Sequence, residues 1–106
     1  PTVEITYDPE TGKFTVDFSE DPINPETGNP FTPDEIKAII TGVPGNNMDP
    51  SKTTVIQPDP TNPKVFIVTT EPTGPSQEVT VKVPAGSYTD ENDNPGTAGE
   101  ATEDIV

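Results

Sequence analysis

Thr2-Val3-Glu4-Ile5-Thr6-Tyr7-Asp8-Pro9-Glu10-Thr11-Gly12-Lys13-Phe14-Thr15-Val16-Asp17-Phe18-Ser19 decides the class of the fold. Apolar and polar residues alternate on both sides of a turn. Val3, Ile5 and Tyr7 share one face of the first run, and Phe14, Val16 and Phe18 share one face of the second. A period of two is the mark of a strand with one face buried. Between the runs, Pro9 fixes φ and Gly12 supplies a left-handed exit, so Asp8–Gly12 reads as a turn. The segment predicts a hairpin whose first strand lies at a sheet edge.

Outward from this hairpin the same pattern recurs. Thr53 to Gln57 is a short β-branched strand. Lys64 to Thr70 carries Val65, Ile67 and Thr69 on one face and Phe66 and Val68 on the other, which predicts a central strand covered on both sides. Glu78 to Val83 points Val79, Val81 and Val83 inward, and the tail after Gly96 offers a last edge strand ending in Ile105-Val106. Turns fall at Asn24–Gly28, Asp59–Pro63 and Glu71–Ser76, and Val43–Ser51 reads as a loop. One stretch departs from the β pattern. Thr32-Pro33-Asp34-Glu35 is a capping box with Pro at the first helical position, followed by Ile36, Ile39 and Ile40. With Gly42 and Pro44 close behind, it predicts a short helix of one to two turns near 33–40. About seven strands separated by frequent turns predict an all-β, Ig-like β-sandwich, with 1–106 as a single domain.

Composition agrees with strands and a thin core. The chain has 106 residues, 27% of them hydrophobic, and 15 are proline. It has no Leu, and its 17 Thr, 10 Val and 8 Ile suit a pleated, half-buried surface. Five Lys and no Arg stand against nine Asp and ten Glu, a net charge of −14. Phosphate binding needs clustered cations, so nucleic acid and anionic membrane are poor partners. No apolar run is long enough to span a membrane, so insertion is not expected. Without Cys there is no disulfide to offset the self-repulsion of such charge.

The acid is concentrated at Asp90-Glu91-Asn92-Asp93-Asn94, closed by Pro95-Gly96. Carboxylate and amide oxygens are the ligands of a hard cation, above all Ca²⁺, which takes six to eight of them. Asp90, Asn92, Asp93 and Asn94 are therefore candidate ligands. An EF-hand is rejected, because Pro95 stands where its glycine belongs and Ala101 where its closing glutamate belongs. A β-loop calcium site remains, beside the plainer reading of a solvated acidic turn whose side chains cap their own backbone. Glu20, Asp21 and Asp34 belong to a second acidic group, and Asp104 in the acidic tail completes the candidate set.

Phe18-Ser19-Glu20, Phe31-Thr32-Pro33-Asp34-Glu35-Ile36, Val79-Thr80-Val81-Lys82-Val83-Pro84-Ala85-Gly86-Ser87-Tyr88-Thr89-Asp90 and Asn94-Pro95-Gly96 occur in this order. Together they resemble one bacterial Ig-like repeat of the very long surface adhesins, the type I-secreted RTX and biofilm-associated proteins. The resemblance implies a secreted, cell-surface extender in a tandem array, with adjacent repeats as partners and Ca²⁺ in loops and at repeat junctions. The chain departs from the pattern in its longer Pro-rich insertion between Ser19 and Phe31. Asp90–Pro95 is also similar to the cadherin linker, although cadherin repeats need an Arg that is missing here.

Three function classes follow. The first is a calcium-stabilised extender, monomeric in isolation, that holds an adhesive domain away from the cell. The second is a module that binds glycan or protein through loops, for which Phe31 or Tyr88 would supply exposed aromatic surface. The third, an enzyme, is not expected: without His or Cys no nucleophile–imidazole pair exists, and the paired acids lie in short turns. A minor possibility is an isopeptide staple from Lys13 or Lys82 to an Asn.

Overall fold

The computed structural model describes residues 1–75 and 77–105. Ser76, at the end of one expected turn, and Val106, at the end of the expected last strand, lie outside the described residues. Among the described residues the regular elements are mostly β-strands, with one α-helix and one 3-10 turn.

The opening hairpin forms as the alternation predicts. β1 (Val3–Asp8) and β2 (Lys13–Phe18) pair antiparallel from Val3 opposite Phe18 to Asp8 opposite Lys13. Gly12 has φ +71 and donates its N–H to the Asp8 carbonyl at 2.8 Å, closing the turn. β2 continues onto β6 (Val65–Thr69), and β6 onto β5 (Thr54–Ile56), all antiparallel. The resulting four-stranded sheet has the order β1-β2-β6-β5, with β1 at an edge. β6 is central by pairing, but only one of its faces meets the core. Phe66 and Val68 are fully buried, whereas Val65 and Ile67 are half-buried.

β7 (Glu78–Val83) and β8 (Gly99–Asp104) form a second, two-stranded sheet, in register from Glu78–Asp104 to Val83–Gly99. Val79, Val81 and Val83 join Phe14, Val16, Phe18, Phe66 and Val68 in one hydrophobic cluster. Phe18 is its hinge: its ring lies edge-on to Phe66 at 6.2 Å and to Tyr88 at 4.9 Å. Gly99 presses its Cα against the Val3 carbonyl, so a side chain there has no room.

Two elements differ from expectation. The helix α1 runs from Pro33 to Gly42, ten residues rather than one or two turns. Thr32 and Glu35 form the expected capping box, and Ile36 and Ile40 are buried. Gly42 does not stop the helix. Pro44 does, because the residue before a proline is driven out of the helical region, and Val43 is extended. Asn46, itself 2% exposed, donates its side-chain amide to the Ile40 carbonyl at 2.6 Å and so caps the helix end. The second difference lies in the Pro-rich insertion, which folds as a small hairpin, β3 (Ile23–Asn24) and β4 (Asn29–Pro30).

Proline acts here through a recurrent local device. Asp8, Asn24, Asp49, Asp59 and Asn62 each precede a proline, and each accepts the N–H two residues on, at 2.9–3.1 Å. The side chain mimics a backbone turn while proline fixes φ, so a fifteen-proline chain is stiff at its corners. Thr53 and Thr70, both buried, bond to each other at 2.7 Å. Among the described residues no buried side-chain polar atom lacks a partner.

Candidate functional site: the acidic pole

The acidic loop follows from the residues before it. Gly86, at φ +77, turns the chain after β7 and bonds to the Gly96 carbonyl at 2.9 Å. Tyr88 then buries its ring and donates its hydroxyl to the Thr97 carbonyl at 2.7 Å. With Tyr88 fixed inside, residues 91–95 are carried to the surface.

There Asp90 closes the loop by itself. Its Oδ1 accepts the N–H of Asn92 at 2.8 Å and of Asn94 at 2.9 Å, and its Oδ2 accepts the Asn94 side-chain amide at 2.9 Å. The Asn94 side chain, then the Asn94 and Asn92 N–H groups, hold the Asp90 carboxyl below its ordinary range against an opposing effect of burial. Asp93 takes a left-handed φ of 65 and donates its N–H to the Asp90 carbonyl at 3.2 Å. Asn92, Asp93 and Asn94 are exposed. The Asp90 carboxylate thus caps its own loop.

Its neighbourhood is set by one long-range pairing. Ile23 and Thr89 exchange both backbone hydrogen bonds, at 2.9 and 3.0 Å. This brings the Ser19–Pro22 segment alongside the loop. Glu20, Asp21, Asp90, Glu91 and Asn92 then line one shallow cleft of about 180 Å³. Two acidic groups far apart in sequence therefore share a wall. Glu91 was not among the candidate ligands, yet it belongs to this cleft. Pro1 is also here: its nitrogen lies 3.7 Å from Glu20, and its carbonyl accepts the Thr97 N–H.

The remaining candidates lie elsewhere. Asp34 is exposed in the first turn of α1, where its charge complements the helix dipole. Asp104 ends β8 opposite Glu78, at the far end of that strand from Gly99. Lys13 and Lys82 stand opposite Asp8 and Glu100 in their ladders, with no Asn in register. Phe31 and Tyr88 are buried, at 4% and 1% exposure, so neither offers the loop aromatic surface expected of a glycan binder.

The donor chemistry of the cleft suits a hard cation. Among the described residues, no group of three or more acidic side chains is gathered to hold a metal. Among the described residues, too, no helix is long and apolar enough to cross a membrane, which says nothing of a β-barrel. Comparison with protein-family models, with curated proteins and with solved structures finds no match.

Proposed function

We propose that this chain is an Ig-like β-sandwich serving as a spacer in a bacterial surface adhesin, a tandem repeat that projects a distal adhesive domain. The order β1-β2-β6-β5 is that of the A-B-E-D sheet of an Ig domain, and β7–β8 correspond to its F–G pair. In chain order α1 falls between β4 and β5, where the C strand of that fold would fall.

The observation that carries the spacer reading is the elongated shape of the fold. Thr97, just before β8, bonds to Pro1, while Ile105 follows the other end of β8 and bonds to Gln77. Six strand residues at ~3.3 Å each separate the two points by nearly 20 Å. The long axis of the molecule is 42 Å, twice its shortest. A fold longer than it is wide lengthens an array with each repeat added.

Calcium enters this proposal at the acidic pole. Because Asp90 already closes its own loop, the metal's role is to bridge the cleft of Glu20, Asp21, Glu91 and Asn92 toward a neighbouring repeat, stiffening the junction. Calorimetric titration with Ca²⁺, with melting in EDTA and in millimolar Ca²⁺ at equal ionic strength, tests it. Heat of binding and a higher melting temperature are expected. No heat and superimposed melts would remove calcium and leave the spacer to be judged by the shape of a two-repeat fragment in solution.

A further inference from the structure

The cleft at the acidic pole is not the largest concavity. A groove of about 440 Å³, within the range of ligand sites, runs between the β3–β4 hairpin and one face of α1. Its floor is Phe31, with Ala38 and Ile39 along the helix side. Asn24 and Glu26 form the hairpin side, and Glu35 stands on the first turn of the helix between them. The charged side chains lining it are Glu26 and Glu35, both acidic.

Glu35 is unusual in being held at both oxygens. Oε1 accepts the Thr32 N–H at 2.8 Å, and Oε2 accepts the Asn24 side-chain amide at 2.9 Å. The Thr32 N–H above all, helped by Asn24, keeps its carboxyl below the ordinary range. The carboxylate is therefore fixed in one orientation before any ligand arrives. Each oxygen retains an acceptor site, since a carboxylate offers about four in all.

We infer that this groove receives a lysine or arginine side chain from a basic segment of a partner protein. A fixed carboxylate beside an apolar wall fits a side chain with an aliphatic stem and a cationic head. The stem covers Ala38 and Ile39, and the head reaches Glu35, with Glu26 adding charge at the rim. Preorganisation matters here: exposed ion pairs gain little when both long side chains must be immobilised, and Glu35 is already immobile. The net charge of −14 draws such a segment in and excludes an acidic one. The inference is independent of calcium, because none of these residues lines the acidic pole.

Titration of ¹⁵N-labelled protein with the capped peptide acetyl-Arg-Ala-Arg-amide at physiological salt tests it, with acetyl-Gln-Ala-Gln-amide as control. Saturable amide shifts confined to 24, 26, 31, 35 and 38–39, given by the arginine peptide alone, are expected. Ala38→Trp fills the groove from an exposed position, and Glu35→Gln removes charge while a glutamine still completes the capping box. Each should weaken binding about tenfold, the loss of one well-placed contact worth ~1.4 kcal/mol. If either variant misfolds, Glu26→Lys, in an exposed turn, should weaken binding in its place. No shifts, equal shifts with both peptides, shifts spread over every acidic surface, or unchanged binding by the folded variants would overturn the inference.

Discussion

The ring of Tyr88 occupies the space in which a side chain on Gly96 would begin. A Cβ built on Gly96 falls onto three of the ring carbons. The same ring packs edge-on against Phe18, and its hydroxyl holds Thr97, so it has nowhere to retreat. Gly96→Ala should therefore destabilise by about 1–3 kcal/mol, as overpacking does. Tyr88→Phe, which loses the hydroxyl's short bond to the Thr97 carbonyl and its longer one to the Pro1 carbonyl, should cost about 1 kcal/mol. In a Tyr88→Leu background the Gly96→Ala penalty should shrink. Urea denaturation of the parent and the four variants measures all of this, and additive penalties would show that the two residues do not meet.

This pair also explains what was legible in the sequence and what was not. Strands came through because alternation is local: Val79, Val81 and Val83 are buried where the period of two places them. The run from Val79 to Gly96 stood out as a motif and drew a metal reading from its acids. Four of its residues also have structural duties: Gly86 turns left-handed, Tyr88 is buried, Asp90 closes the loop and Gly96 packs against the Tyr88 ring. The β3–β4 hairpin was missed because two-residue strands have no period to read. The meeting of Glu20 and Asp21 with the loop rests on Ile23 pairing with Thr89, sixty-six positions away, a contact that no local pattern encodes.

Four carboxylates with lowered pKa predict how stability depends on pH. Asp49 and Asp59 are lowered chiefly by the Ser51 and Thr61 hydroxyls, Asp90 by Asn94, and Glu35 by the Thr32 N–H. A carboxyl whose folded pKa lies below its unfolded value contributes stability that is full above the unfolded value. That contribution is lost as pH falls through the folded value. The melting temperature should thus be level from pH 7 to about 5 and fall below about 4, near the unfolded carboxyl range. Asp49→Asn with Asp59→Asn preserves both turns but removes their charge. The double variant should lose less stability between pH 5 and 3 than the parent, and parallel curves would refute the assignment.

The two ends of α1 are capped by different means and should respond differently. Thr32→Ala removes the side-chain acceptor for Glu35 N–H at an exposed end and should cost about 1 kcal/mol. Asn46→Ala leaves the Ile40 carbonyl, on a fully buried residue, without its amide partner. The penalty of an unmade buried bond is about 1–3 kcal/mol, so this variant should be the worse of the two. Equal midpoints in guanidinium would mean that water replaces Asn46 at no cost.

Charge at the acidic pole should change sign in its effect when calcium is added. Without divalent ions, Glu20 and Asp21 share a cleft with Asp90 and Glu91 inside a chain of net charge −14, and repulsion there opposes the folded state. Glu20→Gln with Asp21→Asn should accordingly raise the melting temperature in EDTA by a few degrees, the scale of about 1 kcal/mol in a domain of this size. Sodium chloride should narrow the difference, since exposed charges are screened over about 10 Å at 0.1 M. In millimolar calcium the order should reverse, because the parent gains a ligand that binds only its folded form while the variant has lost two donors. Differential scanning calorimetry in EDTA, in sodium chloride and in calcium at matched ionic strength separates the terms. A variant that stays more stable than the parent in all three would mean that these acids repel one another and hold nothing.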